Sequence, residues 1–340
     1  MATIRDVAQK AGVSTMTVSR VLNKSGYVSQ PVRARVEAAV AELGYIPNTL
    51  GLSLRFKQTR TLALVLTDIT NPFWTTVARG VEDAANDAGF TVILCNTDES
   101  ETKQARYLNI LLQKRVDGVL LVPACSAPEA VAWLRKREVP FVIIDRKVGA
   151  EPVDTVRCDS REGGYRLTRL LLDLGHRHIA MLAGPRQVST AADRAAGYEA
   201  ALREAGLEPE PALIVHGAYA IASGYAMMQQ VLRGEPRPTA VFAANNFLAL
   251  GAYRALRAAG LRVPEDIAMV AYDDLPEAMT FEPFLTAAAQ PAYDMGKRAT
   301  QLLLARLAEL SAGQAAPRPP EEIVLPTDII VRRSSGPPLA

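Results

Sequence analysis

The sequence predicts a small all-α head at the N-terminus, followed by a two-lobed α/β body. Up to residue 46, apolar residues recur at helical spacing in short pieces, and from residue 60 onward apolar strand-like runs alternate with helical stretches. The net charge changes at the same place. Residues 1–60 hold nine Lys and Arg against three acids, a net charge of +6, and since the whole chain carries +2, residues 61–340 carry −4. A basic head on a mildly acidic body is typical of a nucleic-acid-binding module joined to a second domain.

The bulk composition excludes several classes of protein. A chain of 340 residues suits two or three domains. No run of about 18 apolar residues and no hydrophobic leader is present, so we expect no membrane segment and a cytoplasmic location. The cysteines, Cys95, Cys125 and Cys158, are scattered and odd in number, which argues against a disulfide framework and a zinc site. We expect small buried thiols, no metal and no cofactor.

Three short helices are predicted in the head, residues 1–46. Gly12 can end the first helix, and Ser14 can cap the second by accepting a hydrogen bond from the Thr17 amide. Pro31 suits the first turn of the third helix. The apolar faces of the three helices are Ile4, Val7 and Ala8, then Val18, Val21 and Leu22, then Val32, Val36, Ala39, Val40 and Leu43. Only "GVS" separates the first two helices, which is the tight connection of a helix-turn-helix.

The second helix carries polar side chains opposite its apolar face. A helix-turn-helix places this helix in the DNA major groove, where its N-terminal residues meet base edges. Arg20 can bind guanine through two parallel hydrogen bonds, and Thr15 or Met16 can contact a thymine methyl group. Hydroxyl groups can bind phosphates or bases. The alternative is a basic head that docks on a protein partner.

The body repeats one plan twice. Strands are predicted at 61–67, 91–95, 118–122 and 140–145, and again at 178–184, 239–244 and 267–274. Helical stretches separate them at 75–88, 102–114, 126–137, 189–206, 221–232 and 245–260. Uninterrupted apolar strands are what a parallel sheet covered on both faces requires, so two α/β lobes are expected. We expect a surface loop at 312–320 and a frayed tail, "RRSSGPPLA".

The N-terminal string "TIRDVAQKAGVSTMTVSRVLN" closely resembles the start of LacI/GalR-family bacterial transcription regulators. The resemblance continues through "KRVDGVLLVP", "DSREGGYRLTRLLLDLGHRHIAML", "GPRQVSTAADRAAGYEAAL" and "LRVPEDIAMVAYDD". It implies a periplasmic-binding-protein-like body of two doubly wound parallel sheets. The implied domains are a helix-turn-helix at 1–46, a hinge helix or linker at 47–60, and an effector-binding and dimerisation domain at 61–340. Within that domain the N-lobe takes about 61–159 and 290–320, and the C-lobe about 160–289 and 321–335.

The resemblance also implies that the hinge folds on DNA, with Leu54 as a minor-groove wedge and Arg55 near phosphates. The usual Ala-Arg pair is replaced here by Gly51 and Leu52, and a glycine costs about 1 kcal/mol of helix stability. We therefore expect a hinge that is harder to fold, with a flexible linker as the alternative. The expected DNA-binding residues are Thr3, Ser14, Thr15, Met16, Thr17, Ser19, Arg20, Asn23, Tyr45, Asn48, Leu54 and Arg55.

Polar and aromatic residues follow the predicted strands, where open α/β sheets bind ligands. They include Asp68, Asn71, Asp98 and Arg146. By resemblance, the effector-pocket positions are Phe73, Trp74, Asp145, Thr190, Arg194, Tyr219, Asn245, Asp273 and Gln290. Carboxylates and guanidinium groups bind hydroxyls while aromatic rings cover C–H faces, which suits a polyhydroxylated ring. The alternative for Asp145 and Asp273 is a turn-capping role.

The sequence favours a sugar-like effector over a purine, since Val188 stands where the resemblance places an arginine in purine-binding relatives. His176 and His178 look structural and His216 stands alone. No GxSxG, GxxxxGK[ST], HExxH or GxGxxG string is present, so no enzyme is expected. A periplasmic solute-binding protein would need a signal peptide in place of the basic head.

We therefore expect a non-membrane regulator, a repressor, that binds double-stranded operator DNA as a homodimer or tetramer. A small-molecule effector between the lobes would control operator affinity. Helices 75–88 and 102–114 are expected to supply part of the dimer surface.

Overall fold

The computed structural model describes residues 2–23, 25–46, 58–149, 152–275, 283–312 and 318–337. The chain forms two compact units, Met1–Thr59 and Arg60–Ala340. The predictions for the hinge concern Asn48, Gly51, Leu52, Leu54 and Arg55, and these lie outside the described residues.

The head contains three helices, α1 (Ile4–Ala11), α2 (Thr15–Leu22) and α3 (Gln30–Leu43). Gly12 ends α1 with a left-handed φ of 62°, a conformation that glycine adopts without steric cost. Ser14 then caps α2, accepting from the Thr17 amide at 3.1 Å, as the sequence predicts. The small core of the head consists of Val7, Ala8, Ala11, Val18, Val21, Val36 and Ala39.

The body contains two six-stranded sheets in its described residues. The first contains β1 (Thr61–Leu66), β2 (Thr91–Asn96), β3 (Gly118–Leu121), β4 (Phe141–Ile144), β5 (Thr155–Cys158) and β11 (Glu322–Leu325). The second contains β6 (Ile179–Ala183), β7 (Ile214–His216), β8 (Ala240–Ala243), β9 (Ala268–Tyr272), β10 (Thr286–Ala289) and β12 (Asp328–Ile330). The strand orders are β11-β5-β4-β3-β1-β2 and β12-β10-β9-β8-β6-β7, so each strand has a counterpart in the other lobe. Pairing is parallel except between β10 and β12.

Helices cover both faces of each sheet. The first lobe has α4 (Pro72–Asp87), α5 (Glu101–Gln113), α6 (Glu129–Lys136) and α11 (Ala292–Ser311), and the second has α7 (Ser160–Asp173), α8 (Ser189–Glu204), α9 (Ile221–Val231) and α10 (Asn246–Ala258). Leu62 and Leu64 of β1 face the core on the α4 side, whereas Ala63 and Val65 face the core on the α5 side. This two-sided burial explains the uninterrupted apolar run of β1.

The lobe boundary differs from the sequence prediction at one place. The sequence assigned 321–335 to the second lobe, but β11 pairs with β5 in the first sheet, with Glu322 beside Thr155. The chain therefore returns to the first lobe through α11 and β11 before β12 rejoins the second. Helix α11 packs closely on α4, since a Cβ atom at Gly296 would lie 2.1 Å from the Val77 carbonyl oxygen.

The C-terminal tail is ordered in its described part, where the sequence predicted fraying. Residues Arg333–Ser335 form a short 3-10 helix, and Ser334 and Ser335 are fully buried. The Ser334 hydroxyl donates to the Met269 carbonyl at 2.7 Å and accepts from the Thr286 amide at 2.7 Å. The tail thus supplies hydrogen bonds that β9 and β10 lack within the sheet.

Replacing Ser334 by Ala should lower the free energy of unfolding of the body by about 1–3 kcal/mol, because the buried Thr286 amide loses its acceptor. Thermal and urea unfolding of the full chain measure this. Ser311→Ala is the matched control, because its exposed hydroxyl only returns a hydrogen bond to the Leu307 carbonyl within α11. Equal stability of the two variants would contradict the structural role of the tail.

Candidate functional site

A cavity of about 230 Å³ lies between the two lobes, at the carboxyl ends of the parallel strands. The first lobe lines it with Asp68, Asn71, Phe73, Trp74, Asp98, Glu99, Asp145 and Arg146, and the second with Thr190, Arg194, Ala218, Tyr219, Ala220, Asn245 and Asp273. Eight of the nine residues predicted for an effector pocket therefore meet at one cavity. The ninth, Gln290, is absent from this lining, but its amide donates to Asp273 Oδ1 at 2.6 Å. Gln290 thus contacts the cavity indirectly.

Asp145 and Asp273 occupy equivalent places in the two lobes. Asp145 follows β4 and Asp273 follows β9, which are counterpart strands. Both are buried, and both have a left-handed backbone, with φ of 69° and 66°. Aspartate tolerates this conformation better than most side chains. Neither carboxylate caps a following turn within the described residues, so the capping alternative is not observed for either.

Burial dominates the protonation behaviour of these two carboxyl groups. It raises the pKa of Asp145 to about 6, although Arg194 and Arg146 oppose the shift. Burial also raises the pKa of Asp273, again against the effect of Arg194. Asp145 Oδ1 is buried without a hydrogen-bond partner in the described structure. The site therefore holds a carboxylate whose charge is incompletely compensated.

Arg194 is held flat against the cavity wall and is only 3% exposed. Its guanidinium carbon lies 3.6 Å from the ring centroid of Tyr272, and its Nη1 donates to the Ala244 carbonyl at 2.7 Å. Asp273 Oδ2 lies 3.8 Å from the same nitrogen. The Nε–H is buried and has no hydrogen-bond partner in the described structure. This burial excludes a surface role for Arg194.

Arg146 is fixed by an acid that the sequence analysis did not single out. Its two terminal nitrogens donate to the Glu99 carboxylate at 2.7 Å each, and Nη1 also donates to the Pro123 carbonyl at 2.6 Å. Glu99 follows Asp98 directly after β2, so two consecutive acids after a strand were a usable signal. Both have left-handed φ, 52° and 57°, which marks a tight turn beside the cavity.

The aromatic and amide residues complete the wall. The Phe73 and Trp74 rings lie edge to face, with centroids 4.7 Å apart. Tyr219 packs over Gly184, where an added Cβ atom would lie 2.3 Å from Tyr219 Cζ. Asn245 caps α10, and its Oδ1 accepts from the Leu248 amide at 2.8 Å. The side-chain amide nitrogen of Asn245 is therefore the group it can offer to a ligand.

Two sets of hydrogen bonds join the lobes beside the cavity. Asn71, at the start of α4, and Asn246, at the start of α10, exchange side-chain amide hydrogen bonds of 3.0 Å in both directions. Elsewhere, the Ser189 amide donates to Ser126 Oγ at 2.8 Å and the Lys147 amide donates to Ser189 Oγ at 2.8 Å. Asn246 could not be predicted from the sequence, because its partner lies 175 residues away and no local pattern indicates the contact.

The second candidate site is the outer face of α2. Thr15, Met16 and Arg20 are exposed, and Met16 is 62% exposed despite its apolar side chain. Arg20 forms no ion pair with any described residue. Met16 lies in the first turn of α2 and Arg20 one turn later on the same face, an arrangement that suits contact with base edges.

The other predicted DNA contacts have partners within the head. Thr3 forms a capping box with Asp6, and the Ser14 and Thr17 hydroxyls lie 3.0 Å apart. Asn23 donates to Ser19 Oγ at 3.1 Å. Tyr45 is half-buried against the head core. Asn48, Leu54 and Arg55 lie outside the described residues. The predicted DNA contacts thus fall into two groups: exposed side chains of α2, and side chains that have partners within the head.

Histidines and cysteines have structural surroundings. His176 is buried and its Nδ1 lies 2.9 Å from Thr239 Oγ1, while His216 Nδ1 lies 3.0 Å from the Gly184 carbonyl oxygen, so His216 is not isolated. Cys95 and Cys158 are buried, but Cys125 is half-buried rather than fully enclosed. Burial raises the pKa of Cys158 to about 12.

No group of three potential metal ligands occurs in the described ranges. None of the described helices combines the length and apolar character needed to cross a bilayer.

Two family descriptions match the chain. "Bacterial regulatory proteins, lacI family" matches residues 3–48, and "Periplasmic binding proteins and sugar binding domain of LacI family" matches residues 59–320. Over 310 residues the chain is 40% identical to the ribose operon repressor of Escherichia coli (strain K12), covering 91% of this chain and 94% of that protein. Over 309 residues it is 39% identical to the HTH-type transcriptional repressor PurR of Pectobacterium carotovorum subsp. carotovorum (strain PC1), covering 90% and 91%.

Solved structures agree with these relatives. The lac repressor dimer bound to operator and the anti-inducer ONPF is similar with a TM-score of 0.83 and 30% identity, covering 98% of this chain and 99% of that one.

Asp145→Asn should stabilise the ligand-free protein at neutral pH. Because the folded-state pKa is raised from 3.8 to about 6, Asp145 is protonated below about pH 4 in both states and has no effect on stability there; above about pH 6 its ionisation lowers the free energy of unfolding by about 3 kcal/mol. Asparagine also tolerates the left-handed backbone. The variant should melt a few degrees higher than the parent protein at about pH 7.5, with the difference shrinking towards pH 4. A constant difference across this range would contradict the assignment. Asp87→Asn, at the exposed last residue of α4, is the control.

Proposed function

Because the chain belongs to the LacI family of bacterial regulatory proteins, we propose that it is a sequence-specific DNA-binding repressor controlled by a small-molecule effector bound between its lobes. The relatives described above are transcriptional repressors, and we propose no catalytic activity for this chain. One observation carries the proposal: an exposed helix-turn-helix face and a cavity of buried charged groups with unpaired atoms occur in one chain.

We assign base contacts to Thr15, Met16 and Arg20, whose side chains are exposed on the outer face of α2. The remaining predicted residues of the head would contact DNA phosphates and so position α2 in the groove. They are Thr3, Ser14, Thr17, Ser19, Asn23 and Tyr45. Asn48, Leu54 and Arg55 would contact the operator centre, as the family resemblance implies. A homodimer or tetramer in the cytoplasm would place two heads on a near-palindromic operator, since a two-fold assembly imposes its symmetry on the site.

The effector in this proposal is a sugar or sugar derivative. Asp145 would accept hydrogen bonds from hydroxyl groups, while Arg194 Nε and the Asn245 amide nitrogen would donate to them. Phe73 and Trp74 would contact the C–H face of the ring. The ribose operon repressor supports a sugar, but PurR is nearly as similar, so identity alone selects no effector. Two features favour a sugar over a purine: the donors and acceptors of the cavity, and Val188 at the position where the resemblance places an arginine in purine-binding relatives.

Control of DNA binding would follow from linkage between the two sites. Asp145 belongs to the first lobe and Arg194 and Asp273 to the second, so a ligand that contacts all three favours one arrangement of the lobes. That arrangement would set the spacing of the two hinge segments, residues 47–60, in a dimer. The sign of the response, induction or co-repression, follows from which arrangement the operator-bound protein adopts.

Arg20→Ala should weaken operator binding by about 1–3 kcal/mol and relax preference at one base position. Gel-shift titration against a library of operator variants measures both quantities. Arg35→Ala, an exposed arginine on α3, is the matched control and should preserve base preference. Unchanged affinity and unchanged base preference in the Arg20 variant would show that Arg20 does not contact the bases.

Arg194→Ala or Asp273→Ala should abolish the effector response while leaving operator binding intact, because both residues lie at the cavity and neither belongs to the head. Operator titration with and without the effector measures the response, and thermal unfolding verifies that each variant is folded. Arg169→Ala, on the surface of the second lobe, should respond as the parent protein does. A normal response from a cavity variant would refute its role.

A further inference from the structure

We propose that four residues form a latch between the two lobes. The latch consists of Ser126 and Lys147 in the first lobe and of Ser189 and Asp193 in the second. It stabilises the arrangement in which the lobes touch, and it has to open before a ligand passes into or out of the cavity. This role rests on the proposed function only in that the cavity is taken as the effector site.

Helix α8 begins without a cap of its own. Its N-cap position is Val188, which forms no side-chain capping hydrogen bond. The first N–H groups of a helix have no partner within that helix, so they need an acceptor from outside it. Ser126 of the first lobe supplies one, because its Oγ accepts from the Ser189 amide at 2.8 Å. One lobe thus caps a helix of the other.

Three further contacts join the same two lobes at this place. The Ser126 amide donates to the Gln187 carbonyl at 3.0 Å, and the Lys147 amide donates to Ser189 Oγ at 2.8 Å. Lys147 Nζ lies 2.9 Å from Asp193 Oδ2, one turn further along α8. All four contacts run from the first lobe to the second, so parting the lobes here breaks them together.

The latch lies far from the chain crossings in the second lobe. The chain passes between the lobes after β5, after β10 and after β11. Ser189 follows β6, and the second sheet places β8 and β9 between β6 and β10. A rotation about the crossings separates the lobes most at points remote from them. The latch is therefore placed where it opposes such a rotation effectively.

The polar atoms of the cavity are closed off while the lobes touch. Asp145 Oδ1, Arg194 Nε and Tyr219 Oη are all buried. Thr190 and Asn245 are each only 4% exposed. A ligand reaches these groups only after the walls move apart. Thr190 and Arg194 both lie on α8, so the helix that the latch holds is also a wall of the cavity.

The distance between the lobes in the full-length protein tests the latch without any ligand. Spin labels on the exposed positions Ala132 of α6 and Ala222 of α9, attached through bioorthogonal side chains, leave the native cysteines in place. Excess unlabelled protein keeps distances between chains out of the signal. In double electron–electron resonance, Ser126→Ala and Lys147→Glu should each raise the ratio of long-distance to short-distance states about five-fold, as the loss of one hydrogen bond or ion pair predicts.

Matched variants separate the latch from the general loss of a cap or an ion pair. Ser100→Ala removes a serine cap within the first lobe, where Oγ accepts from the Lys103 amide. Asp173→Asn removes an ion pair with Arg169 within the second lobe. Both should leave the distance distribution unchanged. Lys147→Glu combined with Asp193→Lys exchanges the two charges and should return the distribution towards that of the parent protein.

An unchanged distribution in both latch variants, with each protein folded by thermal unfolding, would overturn the latch. An equal shift in the two matched variants, or no recovery in the charge exchange, would overturn it as well. Operator titration of the parent protein addresses the proposed function separately. If the parent protein showed no preference for any operator sequence, the proposed function would fail while the measured latch would stand.

Discussion

The burial of opposed charges between two lobes is the constraint on which this structure depends. Asp145, Asp273 and Arg194 are each almost removed from solvent, and the positive charge of Arg194 opposes the rise that burial causes in the pKa of both carboxyl groups. Such a group is stable when its hydrogen bonds are complete, yet Asp145 Oδ1 and Arg194 Nε lack partners. The proposed effector would supply the hydrogen bonds that these two atoms lack.

The repeated plan of the two lobes explains how the charges meet. Counterpart strands β4 and β9 occupy the same position in sheets of the same order, and each ends in an aspartate with a left-handed backbone. The two sheets present their carboxyl ends to a shared space, so the repeat turns one local feature into a facing pair. In the described residues the chain passes between the lobes after β5, after β10 and after β11, and each sheet is complete within its own lobe.

The elements that could be predicted from the sequence are those whose burial produces an uninterrupted apolar run. Strands such as β1 and β6 are buried on both faces, so their apolar runs and the polar residues after them were visible. Eight cavity residues were predicted from that rule together with the family resemblance. The short strands β5, β7, β10, β11 and β12 were missed, since runs of three or four residues are too short to show a clear period. The roles of Glu99 and Asn246 depend on partners distant in sequence, and the tail was misjudged because its serines are polar yet buried.

The amide pair of Asn71 and Asn246 has a consequence for how the body responds to its surroundings. Neither side chain gains or loses a proton over the range in which Asp145 titrates, so this bridge keeps its strength while the charge of the ligand site changes. Acidification would thus change the charge of the cavity without weakening this contact between its walls. The group that titrates and the bridge that does not lie on the same cleft but at different points, so pH acts on the first and leaves the second unchanged.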